Sequence, residues 1–115
     1  MKHYCSIRNT REFSAVYRGG KSKANKYLVM YCKENHLDYN RFGISVSKKV
    51  GNSVVRHRMT RLLRESYRLN QPKLKKGYDI VVIVRVLGKG KNYSEIESAF
   101  LHLIDLHHLR KDDLN

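Results

Sequence analysis

The sequence has no tryptophan, one proline and two cysteines among its 115 residues. Negative charge is scarce as well: 10 Asp and Glu stand against 24 Lys and Arg, for a net charge of +14. Long apolar runs are missing. The longest, "IVVIV" at residues 80–84, falls far short of the ~20 residues that cross a bilayer, so no membrane partner is expected. The opening "MKHYCSIRNT" holds no apolar segment of the kind a secretory signal needs. These absences point to the cytoplasm. Cys5 and Cys32 form no C-x-x-C pair, which argues against a cysteine metal site or a disulfide framework; they read as lone thiols in a reducing compartment. A chain so poor in acidic groups repels itself and attracts polyanions. Nucleic acid is the commonest such partner, ahead of an anionic membrane or an acidic protein.

What is present suits one domain over residues 1–115, since 41% of the residues are hydrophobic and can bury a modest core. There are no repeats and no low-complexity segment. A short helix is expected at residues 10–18, with Asn9 as cap and Glu12 completing a capping box. The glycines at 19 and 20 should end it in the left-handed cap conformation. A short strand at residues 21–24 follows. "NKYLVMYCK" and "RFGISVSKK" then read as two strands rich in aromatic and β-branched residues, expected to pair as an antiparallel hairpin across the polar "ENHLDYN". A basic helix covers "GNSVVRHRMTRLLRESYR", residues 51–68. "YDIVVIVRVL", residues 78–87, is almost continuously apolar and should be a central strand covered on both faces. The last helix is expected from Ser94, with Ser94 and Glu97 as capping box and Ile96, Ala99, Phe100, Leu103 and Leu106 at helical spacing. The order α-β-β-β-α-β-α implies an α+β fold, an α/β sandwich of helices on a small mixed four-stranded sheet.

The basic helix carries the functional signal. At 3.6 residues per turn, Val55, Met59, Leu62, Ser66 and Leu69 form one stripe, widened by Leu63. His57, Arg61, Arg64 and Arg68 fall opposite it within an arc of about 60°. Arg56 and Arg58 flank the stripe. An ordinary solvated face mixes signs, because Glu–Lys pairs at i,i+4 support a helix; here only Glu65 interrupts. Arginine also holds phosphate bidentately and stacks on bases, which lysine does poorly. Asn52 can cap this helix, and Lys48 and Lys49 stand just before it, where helix N-termini attract phosphate.

Aromatic residues form a second group. Phe13 and Tyr17 share a helix face with Val16, and Tyr27, Val29 and Tyr31 share a face of a strand by alternation. Such rings fit either a core or a surface on which unstacked bases lie. No catalytic residues emerge. Asp38, Asp79, Asp105, Asp112 and Asp113 are scattered, and none stands beside a convincing base or a second carboxylate, as two-metal hydrolysis requires. "HLIDLHH", residues 102–108, reads as histidines near a helix end and not as a metal site.

The run "SVSKKVGNSVVRHRMTRLLRESYR" resembles the signature of the bacterial ribonuclease P protein component, close to G-N-x-V-x-R-N-R-x-K-R-x-x-R. Gly51, Asn52, Val54, Arg56, Arg58, Arg61 and Arg64 match it. His57 stands in place of asparagine and Thr60 in place of lysine, which leaves the arginine column intact. "REFSAVYRGGKS", "LVMYC", "FGISVSKK" and "YDIVVIVR" extend the resemblance over nearly the whole chain. It implies a subunit that binds a large catalytic RNA, the RNA holding both the active site and its Mg²⁺. The holoenzyme removes the 5′ leader of precursor tRNA. By resemblance, the catalytic RNA is gripped by the arginine helix region, Lys48, Lys49, Asn52, Arg56, His57, Arg58, Arg61, Arg64 and Arg68. The leader lies in a cleft that includes Phe13, Tyr17 and Tyr31. The resemblance also implies a left-handed β-α-β crossover, where strand geometry alone favours the right-handed form.

Two other readings compete. A structural RNA-binding protein or RNA chaperone would bind folded RNA without affecting processing. A DNA-binding regulator would place base-reading side chains at the start of its recognition helix; here the arginines run the whole length, which suits backbone gripping, and no DNA partner is expected. If about five phosphates are neutralised, the logarithm of RNA affinity should fall with that of salt concentration with a slope of roughly −3.5 to −4.5. A nitrocellulose filter titration across salt measures it, and a much flatter line would rule out backbone gripping.

Overall fold

A computed structural model describes residues 5–111. In chain order the elements are β1 (Cys5–Ser6), α1 (Thr10–Gly19), β2 (Lys21–Ala24), β3 (Leu28–Glu34), β4 (Arg41–Ser45), α2 (Ser53–Asn70), β5 (Tyr78–Val84) and α3 (Tyr93–Leu106). The five strands form one mixed sheet in the order β1-β4-β5-β3-β2. β5 is central, antiparallel to β3 and parallel to β4. Its apolar run divides between two faces, as alternation demands. Ile80, Val82 and Val84 join the main core with α2 and α3, while Val81 packs with Ile7 and Val16 under α1. The result is three layers, with one helix on one side and two on the other.

Several expectations are corrected. Five strands form where four were expected; the extra one is the two-residue β1, too short to show a period. The hairpin between residues 25–33 and 41–49 does not form, because β5 inserts between β3 and β4. The polar loop between them holds β5 in place. Asn35 N–H donates to Gly77 O at 2.9 Å. The buried Asn40 donates to Lys75 O at 2.8 Å and accepts from Tyr78 N–H at 2.8 Å. β5 stops at Val84, and Val86–Gly88 is a 3₁₀ turn. β4 and β5 are joined through α2, so they make a β-α-β crossover between adjacent parallel strands.

The helix ends also differ in part. Asn9 and Glu12 form the expected capping box on α1. Gly20, however, is extended, with φ of −98°. It serves close approach instead: a Cβ there would lie 2.7 Å from Val16 O and 2.9 Å from Cys32 O. α3 begins one residue early, and its capping box is Asn92 with Glu95. Ser94 and Glu97 satisfied the same pattern two residues on, but Glu97 turns to Asn70 and Tyr93 at 2.8 and 3.0 Å.

The core face of α2 is Met59, Leu63, Ser66, Tyr67 and Asn70, rotated by about 50° from the expected stripe. Aromatic packing sets that rotation. The Tyr67 ring stacks on Phe42 of β4 at 4.2 Å and 3°, and both meet Phe100 of α3 edge-on. Leu69, placed in the stripe by spacing, is 50% exposed.

An ion network ties α1 to the sheet. Arg41 donates Nε to Asp79 Oδ1 at 2.8 Å and Nη2 to Oδ2 at 2.6 Å, and reaches Glu12 at 3.3 Å. Burial alone would raise the Asp79 pKa, but hydrogen bonds from Arg41 and Asn35 outweigh it and hold the carboxyl below its ordinary range. Its contribution to stability is therefore present above the unfolded pKa of about 3.9 and is lost as pH falls through the lower folded value. Asp79→Asn should destabilise the protein by about 2–4 kcal/mol at neutral pH. In urea unfolding the gap between variant and wild type should narrow below about pH 4.

Candidate nucleic-acid interface

Two surfaces lie on opposite sides of the sheet. The first is the outer face of α2. Asn52 accepts Val55 N–H at 3.0 Å and so spends its side chain as the cap. Lys48 and Lys49 are exposed in the turn before it. Along the helix His57, Arg58, Arg61, Arg64 and Arg68 are exposed and Arg56 is half-buried. No acidic residue stands in the first turn to offset them. The residues are not equivalent. Arg56 Nη1 donates to Gly51 O at 3.1 Å, and the Thr60 hydroxyl donates to Arg56 O at 3.0 Å. Thr60 therefore faces its own helix backbone. Arg68 holds Glu65 in a two-pronged ion pair at 3.0 and 2.6 Å. His57, Arg58, Arg61 and Arg64 make up the rest of the outward cationic column.

The second surface is the groove beside α1. Val16 is fully buried, which settles which residue of its face is core, while Tyr17 is 36% exposed and Phe13 is half-buried. Tyr17 sits edge-on to Tyr31 at 4.9 Å and tilted to Phe13 at 6.2 Å. The three rings expected together are together. Tyr27 is not with them: it lies outside β3, packs against the main core and carries Lys91 Nζ 5.2 Å from its ring. Partial burial raises the pKa of Tyr17, opposed by a hydrogen bond with Ser45. Arg8, Ser45 and Val46 complete the groove. They escaped notice in the sequence, although Ser45 follows Gly43 by the two-residue step that puts both on the α1 side of β4.

Gly43 is what lets the tip of the Phe13 ring approach the sheet closely. A Cβ at Gly43 would meet Ile7 Cβ at 2.9 Å and the Phe13 ring at 3.0 and 3.1 Å. The two surfaces approach each other around the β1–β4 edge. A hollow there is bordered by Thr60 and Arg64 of α2 and by Arg8, which also borders the aromatic groove.

Other candidates separate. His102 faces Asn25, His107 bonds Met30 O at 3.0 Å, and Asp105 pairs with Arg110. Among the described residues no group of three or more His, Cys, Asp or Glu side chains could hold a metal ion. Asp112 and Asp113 lie outside the described residues. No helix of the described residues is long and apolar enough to cross a membrane.

A cationic helix on one side and an open aromatic groove on the other define a small RNA-binding subunit. The sequence model of the ribonuclease P family matches residues 1–107. A ribonuclease P protein component of Lachnoclostridium phytofermentans is 63% identical over 102 residues, covering 89% of this chain and 88% of that one. One from Alkaliphilus metalliredigens is 55% identical over 98 residues, covering 85% and 88%. Among solved structures, the Staphylococcus aureus RNase P protein aligns with a TM-score of 0.86 at 32% identity, covering 96% of this chain and all of that one (100%). The Thermotoga maritima protein aligns at 0.80 and 31%, covering 92% and 97%. The chain belongs to the bacterial ribonuclease P protein family. Its role is that of the protein subunit of this ribonucleoprotein, which associates with the ribonuclease P RNA and acts in 5′ maturation of tRNA.

Gly43→Ala should displace the Phe13 ring and destabilise the fold by about 1–3 kcal/mol. Thermal denaturation and the near-ultraviolet dichroism of the aromatic cluster would register the change.

Proposed function

We propose that the two surfaces divide the binding work. The outer face of α2, with Lys48 and Lys49 before it, grips the phosphate backbone of the catalytic RNA. The groove of Phe13, Tyr17 and Tyr31 takes the single-stranded 5′ leader of precursor tRNA. The observation that carries this reading is the open groove itself. Three rings meet beside a helix whose core residue is Val16, and Tyr17 stays exposed. Rings that served only packing would be closed over, whereas bases stack on exposed ones. The hollow shared through Arg8 gives the two RNA segments adjoining tracks.

The protein's part is positioning and charge neutralisation, which lets two polyanions lie side by side. By resemblance to the family, the reaction's Mg²⁺ is assigned to the RNA and not to the protein. The described thiols, Cys5 and Cys32, are both free, which fits a reducing cytoplasm. Duplex DNA is not an expected ligand, since the arginines run along the helix and are not gathered at its start.

Cleavage of precursor tRNA by ribonuclease P RNA at low Mg²⁺, with and without the protein, tests the reading. A large protein-dependent gain is expected. Tyr17→Ala should weaken binding of leader-bearing precursor by roughly 5- to 100-fold and leave mature tRNA unaffected. Arg61→Ala should weaken catalytic-RNA binding and flatten its salt slope by about 0.7–0.9. No gain with RNA binding intact would leave a purely structural RNA-binding protein.

A further inference from the structure

The rotation of α2 about its axis leaves a feature that the two surfaces above do not use. Leu62 belongs to the apolar stripe by spacing, yet it is only half-buried. It forms part of an open groove of about 490 Å³ between α2 and the first turn of α3, bordered by Arg58, Arg61, Leu62, Glu65 and Tyr93. The four α2 residues stand at i, i+3, i+4 and i+7, so they form one continuous ridge. Tyr93 faces that ridge from α3. Its hydroxyl donates to Glu97 Oε2 at 3.0 Å, and the same oxygen accepts from the buried Asn70 at 2.8 Å. The ring is thus held in place before any ligand arrives. The Glu65 carboxylate at the groove's mouth is paired with Arg68, whose charge offsets it.

This combination selects a ligand. Leu62 and the Tyr93 ring, its hydroxyl engaged by Glu97, present apolar surface, while Arg58 and Arg61 present charge and planar guanidinium groups. A nucleotide supplies both a flat apolar base and flanking phosphates. We propose that the groove is a nucleobase site: one unstacked base of the catalytic RNA inserts beside Leu62 and stacks on Tyr93, while Arg58 and Arg61 hold the adjoining phosphates. The inference rests on the reading of α2 as the catalytic-RNA face and names what one part of that face recognises. A preformed ring wall costs little ordering on binding, which favours the contact. The base is unpaired and splayed out, because bases inside a helix stack on their neighbours and leave no face free.

The test is equilibrium binding of the full chain to ribonuclease P RNA across salt, with thermal melts on each variant and methylation probing of the RNA. Tyr93→Leu should bind roughly tenfold more weakly at every salt concentration with an unchanged slope, since stacking releases no counterions. Tyr93→Phe should stay within about twofold of wild type, because the ring remains. Probing should reveal one unpaired base protected by wild type and reactive with Tyr93→Leu. Wild-type affinity in Tyr93→Leu, with a steep salt slope retained, would overturn the base site and leave the phosphate-gripping role of α2 standing. Equal losses in Tyr93→Phe and Tyr93→Leu would also overturn it, placing the effect on the hydroxyl's tie to Glu97. A flat salt slope in wild type would instead remove the underlying reading of α2.

Discussion

The central strand β5 has to be buried on both faces, and most of the architecture follows from that need. A run of Ile80, Val81, Val82 and Val84, each no more than 3% exposed, cannot sit at an edge or face water on one side. One helix must cover the Val81 side and two must cover the Ile80–Val82–Val84 side. The sheet is thereby made a partition. Whatever binds beside α1 is kept apart from whatever binds the outer face of α2, except around the short β1–β4 edge. Arg41, Asp79 and Glu12 reinforce the partition by fastening the start of α1 to β4 and β5.

The stacked rings of Phe42 and Tyr67 do for α2 what β5 does for the sheet. They fix the helix's rotation about its own axis, and with it the direction of every arginine. A helix rotated by about 50° to bury Leu62 and Leu69 would have turned the cationic column through the same angle. In the observed rotation Arg56 sits at the edge of the core and spends a guanidinium hydrogen bond on Gly51. A small set of apolar contacts therefore aims the polar face, and the electrostatic surface is a consequence of packing.

Much of this was legible in the sequence, and the unread parts have physical causes. The α1 capping box, the Asn52 cap and the central β5 were readable because each rests on local chemistry or a long apolar run. The arginine column was readable for the same reason. Strand pairing was not. Residues 25–33 and 41–49 look like a hairpin because their neighbours in sequence are strands, and only the demand of β5 for two partners separates them. The α3 cap was misplaced because Asn92–Glu95 and Ser94–Glu97 satisfy the same pattern, and Glu97 was drawn off by Asn70 across the α2–α3 seam. In the site, helical spacing grouped Phe13 with Tyr17 and alternation grouped Tyr27 with Tyr31, but only the family resemblance singled out Phe13, Tyr17 and Tyr31 as one cleft. Tyr27 obeyed the same alternation but fell outside the strand that enforces it. Ser45 and Val46 reach the groove from the far end of β4, while Arg8 borders it from just before α1, where no periodicity marks it.

The two cysteines differ in a way that gives the chain an asymmetric chemistry. Cys32 is buried in β3, and burial, with Asp79 and Glu34 adding to it, pushes its thiol up to about 12. Cys5 is exposed on the edge strand β1, next to the hollow where the two binding surfaces meet. Alkylating reagents consume thiolate, so at neutral pH they meet essentially one nucleophile. The native chain thus already contains a singly addressable attachment point for a spectroscopic label. It stands at the one edge of the sheet where the aromatic groove and the arginine helix come within reach of each other.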